Sequence, residues 1–278
     1  MSMLGETFAL VVRDLRRWYR TPGQIILVFT TPLMWLLLFG QAFNIGKLAQ
    51  GAPGIDIREV FGGAPDYFSF MAVGQTTFII LFGSLFSGVS LIWDRKTGFL
   101  AKLQVAPISR ASIPVSRMLS TVVKALLQAV VVLVLASLFV FIPGLSGLRF
   151  SPDFGILEAL GIALFLILLG LSLAALFVAL GLIIRNEETL FGMINLLNFP
   201  LMFTSSALIP IALMPEWLKT VARYNPITFV VDGMRQLVFH TSIGAQYSVG
   251  VDILGITIFA ALMISFGAVL SRKALLRS

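Results

Sequence analysis

Six stretches of about 20 mostly apolar residues, each ended by a charged or turn-forming break, dominate this sequence, and that is the length of helix that crosses a bilayer core. They fall at roughly 24–43, 68–93, 119–142, 156–184, 190–209 and 251–270. Hydrocarbon offers no water to satisfy a backbone amide or carbonyl, so a run of this kind is stable there only as a helix. Charged residues make up 12% of the chain and apolar ones 58%, a charged share about half that of a soluble domain. The expected fold is therefore an all-α integral membrane protein with six transmembrane helices.

Basic residues set the orientation, because cytoplasmic loops retain Lys and Arg. With the N-terminus inside, the inner segments hold thirteen Lys and Arg and the outer ones six, Lys124 lying near the start of the third run. Both termini, including the tail 273–278, are then cytoplasmic. A secretory signal, with its short apolar run and small-residue cleavage site, is not seen in the first residues. Instead Phe8, Val11, Val12, Leu15, Trp18 and Tyr19 recur at helical spacing, with Asp14, Arg16, Arg17 and Arg20 opposite. Residues 1–23 read as an amphipathic helix in the inner interface, or else as the ordinary basic flank of a membrane helix.

Several chemistries are excluded. The chain has no Cys and one His, His240, so thiolate catalysis and Cys- or His-rich metal sites are ruled out. The net charge of +7, spread over so much apolar sequence, points to lipid head groups rather than nucleic acid. A phosphate loop needs four residues between its glycines and a hydroxyl after the lysine; Gly40 to Gly46 spans five, and Leu48 follows Lys47. Acidic residues sit in loops or near helix ends, Asp252 opening the last run. This argues against ion-coupled transport and against an intramembrane enzyme, both of which need positioned acids or bases.

Two segments exceed what plain connections require. The first, Asp94 to Arg110, contains Thr97 as a possible N-cap and an apolar stripe of Phe99, Leu100 and Leu103, and Pro107 biases Ala106 away from helix. It reads as a short cytoplasmic helix whose apolar face is covered, either by a docked partner or by the chain's own helix ends and head groups. The second, Phe199 to His240, is too apolar for a solvated loop yet is cut by four prolines. It reads as broken or re-entrant outer helices before the last span, with Trp217 and Tyr224 at the interface and a turn at Asn225-Pro226. Asp232 and Arg235, at i and i+3, are placed to form a structural ion pair. Within the runs, Gln75, Asn195 and Asn198 either line a path for an amphiphile or hydrogen-bond helix to helix.

These two segments resemble the ABC-2 type transport permeases, in particular the daunorubicin-resistance-type membrane subunits. Asp94-Arg95-Lys96-Thr97-Gly98-Phe99-Leu100, running on to Val105-Ala106-Pro107-Ile108-Ser109-Arg110, is similar to the family's D-R-E-x-G-F-L…V-A-P-x-S-R stretch, with Lys96 where the pattern often has an acid. Asn225-Pro226-Ile227-Thr228-Phe229-Val230-Val231-Asp232-Gly233-Met234-Arg235 is similar to its N-P-[LI]-T-[YF]-x-V-D-x-[LM]-R stretch. The resemblance implies a multi-pass plasma-membrane permease domain over 24–272, without enzymatic activity of its own. It implies export of hydrophobic or amphiphilic compounds, whether drug, lipid or glycolipid. It also implies two copies of a separate ATP-binding subunit, which would hold the ATP and Mg, and pairing with a second permease as homodimer or heterodimer. The inner loop would be the coupling helix, with Asp94, Arg95, Lys96, Gly98, Phe99, Leu100 and Leu103 toward the ATPase. Asn225, Pro226, Asp232 and Arg235 would form the outer re-entrant motif, a lid at the exit. A passive channel, an ion-coupled carrier and an assembly factor without transport are the other readings of such a chain.

Overall fold

The computed structural model describes residues 3–42 and 56–276, and among them every regular element is helical. Phe43 at the end of the first expected span, and Lys47 and Arg277 of the charge comparison, lie outside the described residues. Helix α1 (Met3–Tyr19) breaks before α2 (Pro22–Ala42), whose opening proline needs no amide partner there. A single turn, α3 (Ile57–Val60), is capped by Asp56 on the Arg58 amide (2.9 Å). The long α4 (Tyr67–Lys96) is capped by Asp66 on the Ser69 amide (2.7 Å). The short α5 (Phe99–Val105) follows, then α6 (Ser112–Leu138) with a 3-10 turn at Phe139–Phe141, and α7 (Ile156–Ile183). After α8 (Glu187–Phe203) come a 3-10 turn at Ile211–Leu213, α9 (Glu216–Tyr224), α10 (Pro226–Phe239) and α11 (Val249–Leu276).

Among the described residues, four helices are long and apolar enough to cross a membrane: α4, α6 with its 3-10 extension, α7, and α11 over Val249–Ala274. They correspond to the second, third, fourth and sixth expected spans. Helix α6 begins at Ser112 rather than Leu119 because its extra turns are polar and buried, with Ser112, Ser116, Arg117 and Ser120 facing protein. The expected span 190–209 is shorter than its apolar run. Helix α8 ends at Phe203, the Thr204 hydroxyl turns back onto the Pro200 carbonyl (2.8 Å), and residues 204–210 are not helical.

Helix α7 is the centre of the bundle, packed against α4, α6, α10 and α11. Its Phe165, Leu169, Leu173 and Phe177 meet Ile80, Leu81 and Val89 of α4, Ala125, Ala129 and Val132 of α6, and Val231 and Met234 of α10. A Cβ on Gly88 would collide with the Phe177 carbonyl, and one on Gly181 with Gly88 itself. The α4–α7 crossing is thus backbone against backbone, the approach that small residues permit between membrane helices. Outward faces carry large apolar side chains: Leu127, Val130 and Val134 on α6, Leu254, Ile258, Leu262 and Phe266 on α11, Leu196 and Phe203 on α8. Glu6, Asp14, Asp94, Arg117, Arg235 and Asp252 are buried instead. Large apolar side chains thus cover the outside as well as the core, as expected of a protein solvated by lipid.

Candidate functional site

The first predicted motif closes α4. Asp94 is buried and accepts from the Arg117 guanidinium of α6. Arg95 donates to the Leu182 carbonyl (2.8 Å) and the Ile184 carbonyl (3.3 Å) at the end of α7, where free carbonyls and the helix dipole favour a cation. Lys96 pairs with Glu187 at the start of α8 (2.7 Å). Three consecutive charged side chains therefore anchor one helix end to three others.

The chain then turns through Gly98, whose φ of 69° suits glycine, into α5. Thr97 does not cap α5 as expected. It terminates α4, its amide on the Trp93 carbonyl (3.0 Å) and its hydroxyl on the Asp94 carbonyl (3.3 Å). Ala106 is extended before Pro107, as the proline requires. Of the covers expected for α5's apolar stripe, the chain's own helix ends supply one. Leu100 packs against Leu91, Ile113, Val178 and Leu182, with Leu103 beside them. The Phe99 ring lies under the Arg13 guanidinium, 3.5 Å from its centroid. Ala101, Lys102 and Val105 form the outward surface, Val105 being 87% exposed.

Helix α1 covers this joint with its polar side. Asp14, placed by periodicity on the side away from the apolar stripe, is buried against Arg117 and within 3.2 Å of Lys124. Burial alone would raise its carboxyl; Arg117 and Lys124 outweigh that and hold it below the usual range. Burial lowers the Arg13 guanidinium, against the pull of Asp94. Glu6 accepts from the Ser109 amide (2.9 Å) and the Ser112 hydroxyl (3.2 Å). Leu4, Phe8 and Tyr19 face outward. Sequence periodicity found α1's two faces but missed Glu6, Asp14 and Lys124 as partners, and nothing in the spacing signals their pairing.

The second predicted motif sits at the opposite end of α4. Asn225 caps α10 through the Ile227 amide (2.8 Å), while its amide nitrogen donates to the Leu201 carbonyl and the Thr204 hydroxyl (both 2.8 Å). Pro226 takes the first helical position. Arg235, 3% exposed, donates to the carbonyls of Ser206 (2.9 Å), Phe70 (2.9 Å) and Ala207 (3.3 Å) and stacks 3.4 Å from the Phe70 ring centroid. Asp232 accepts from the amides of Gln246 (2.9 Å) and Tyr247 (3.0 Å).

The expected Asp232–Arg235 ion pair does not form among the described residues. Each charge instead satisfies backbone that has left helical geometry, carbonyls at 206–207 for one and amides at 246–247 for the other. Satisfying buried backbone groups is a more pressing demand than neutralising a neighbour. Arg235 Nε and Ser206 Oγ have no protein partner, and both residues line a partly open pocket of about 30 Å³, with room for water. Asp252 is fully buried in the first turn of α11, one oxygen accepting from Gln236 (3.0 Å) and the other without a partner.

Of the polar residues within the apolar runs, Gln75 and Asn198 are buried and Asn195 is half-buried. Neither amide atom of Asn198 has a hydrogen-bond partner, nor does the Gln75 nitrogen. The expected alternative of a helix-to-helix hydrogen bond is therefore not made by Asn198. Gly88 faces Leu190 and Gly74 faces Ala207, so the antiparallel α4–α8 register sets Asn198 level with the middle of α4, where the Ser84 hydroxyl is also unpartnered.

The profile of the ABC-2 type transporter family matches residues 5–239, a stretch that contains both motifs. The ycf38 protein of Cyanophora paradoxa, named as a transport permease, is 34% identical over 243 residues, covering 86% of this chain and 76% of its own. That of Pyropia yezoensis is 32% identical over 237 residues, covering 85% and 75%. The daunorubicin resistance ABC transporter permease protein DrrB1 of Streptomyces coeruleorubidus is 25% identical over 241 residues, covering 87% and 77%. With both motifs placed at the two ends of α4 and a family profile running across most of its length, the chain belongs to the ABC-2 type transporter family.

Proposed function

We propose that the chain is the membrane-spanning subunit of an ATP-binding-cassette exporter, non-catalytic itself and driven by two copies of a separate subunit that binds ATP and Mg. In the assembled transporter it pairs with a second permease in the plasma membrane, six spans crossing with both termini in the cytoplasm. Helix α5 is the coupling helix, and the ATPase grips it. The observation that carries this reading is the joint between α4 and α5. A seven-residue helix is fixed to the bundle by Leu100 on its inner side and by Asp94, Arg95 and Lys96 at its base, while it offers Ala101, Lys102 and Val105 outward. Rigid attachment with a small exposed face is what transmission of force to the spans requires.

The outer motif, with α9, α10 and the 204–210 segment stapled by Arg235 and Asn225, acts as the lid at the exit. The cargo is a hydrophobic or amphiphilic compound, a reading supported by the drug-resistance permease among the relatives and by apolar spans with few amides. The unpartnered Gln75 and Asn198 amides are its contacts when the spans part. Val105→Asp tests the drive. It leaves the chain's own packing intact and is expected to abolish co-purification of the ATP-binding subunit without reducing membrane insertion. Full retention of the subunit by this variant removes α5 as the contact, and ATPase-free uphill transport in liposomes favours the ion-coupled carrier.

A further inference from the structure

Arg117 stands where three elements meet. It is 5% exposed, and its guanidinium donates one nitrogen to Asp14 of α1 and the other to Asp94 at the end of α4. Two carboxylates on one guanidinium leave an excess negative charge. Lys124 answers it from 3.2 Å at Asp14, and Arg13 and Arg17 from 3.8 and 3.7 Å at Asp94. Glu6 adds a second tie, to the loop between α5 and α6 and to the first residue of α6. Arg13 over Phe99 adds a third, to α5 itself. Between α4 and α5 stands Gly98, a left-handed joint with no side-chain cap.

We propose that Arg117 is a positioning residue that joins α1, the end of α4, α5 and the start of α6 into one lever. A push on α5 is then delivered to the spans instead of being absorbed by bending at Gly98. This deepens the ATPase-driven reading above and rests on it. The physical ground is that a buried guanidinium shared by two desolvated carboxylates cannot be withdrawn without depriving each of its closest cation. Arg117→Gln removes that tie and leaves Asp14 to Lys124 and Asp94 to the longer contacts of Arg13 and Arg17, so α1 is held to the joint less tightly. The interfacial helix is, on this account, part of the drive and not only an anchor.

The chain has no cysteine, so spin labels can be set on introduced cysteines without background. In the complex with the ATP-binding subunit, one pair is placed at Arg16 of α1 and Thr97 at the joint, both exposed and outside the clamp. A reference pair at Thr97 and Arg223 spans the length of the molecule. Trapping with ATP and vanadate is expected to shift the reference distance and leave the 16–97 distance unchanged, whereas in Arg117→Gln the 16–97 distance shifts too. Movement of the 16–97 pair in the native chain, or its constancy in Arg117→Gln, overturns the lever. A reference pair that stays still in a complex with bound ATP overturns instead the ATPase-driven reading. Should Arg117→Gln fail to reach the membrane, Asp14→Asn, which removes one arm and leaves Arg117 on Asp94, is read by the same two distances.

Discussion

Replacing Arg235 by Met keeps most of the side chain's volume and removes its charge and every donor. In the structure those donors serve the carbonyls of Ser206 and Ala207, in the non-helical stretch, and of Phe70 in α4. Stranding the two non-helical carbonyls costs about 1–3 kcal/mol each, so about 2–6 kcal/mol together. The loss of the cation–π contact with Phe70 adds about 1–2 kcal/mol, while the desolvation no longer imposed on a buried guanidinium returns part of the sum. A net destabilisation of about 3 kcal/mol is expected, within the range for breaking a buried charged network. Reversible unfolding in mixed micelles, titrated with SDS, reads the global value. Hydrogen exchange at residues 204–210 reads the local one and should show loss of protection there first. Arg235→Lys, whose ammonium lacks the fork that reaches two carbonyls at once, should fall between Met and native. A Met variant within about 0.5 kcal/mol of native, the scatter of neutral surface changes, with exchange at 204–210 unchanged, would refute the stapling argument.

Asn225→Ala should cost about 1–2 kcal/mol through loss of the α10 cap and of the ties to Leu201 and Thr204. Asn225→Asp keeps the cap but not those ties, so in the same SDS titration its own loss relative to native reads the ties and the difference between the two variants reads the cap. Gly88→Ala forces a Cβ against the Phe177 carbonyl and should destabilise by about 1–3 kcal/mol; Gly83→Ala, with open space around it, serves as the control and should be near neutral. The Asp14 carboxyl is held below its unfolded value, so its contribution is complete above the unfolded pKa and disappears as pH falls through the lower folded one. Hydrogen exchange of α1 should therefore stay slow at neutral pH and rise only in acid below the ordinary carboxylate range. Asp14→Asn should abolish that step, and loosening of native α1 near neutral pH would contradict the assignment.

The helices were legible because apolar run length, proline and charge mark where a span can lie; that the second motif, on α10, meets the start of α4 through Arg235 and the Phe70 carbonyl was not. What periodicity does not reveal is which face of a membrane helix meets protein. In water the apolar stripe of α1 would face the core; here Leu4 and Phe8 point outward while Glu6 and Asp14 point inward. For the same reason periodicity alone leaves open whether Leu100 meets a docked partner or the chain's own helix ends, and it packs on the latter. Asp232 and Arg235 illustrate a second limit. Their spacing permits a pair, but the irregular backbone that claims each of them, at 204–210 and 246–247, is brought close only by the tertiary fold. Asp14 and Arg117 lie about a hundred positions apart, a separation at which helical spacing carries no information.

The acid–base triplet Asp94-Arg95-Lys96 is spent wholly inside the subunit, on Arg117, on the Leu182 and Ile184 carbonyls and on Glu187. On the coupling role proposed for α5, what a motor would read there is therefore its outward side chains Ala101, Lys102 and Val105. Exchanging those three side chains between two permeases should swap the motors they recruit while leaving each chassis unaltered, an outcome readable by pull-down in cells expressing both motors.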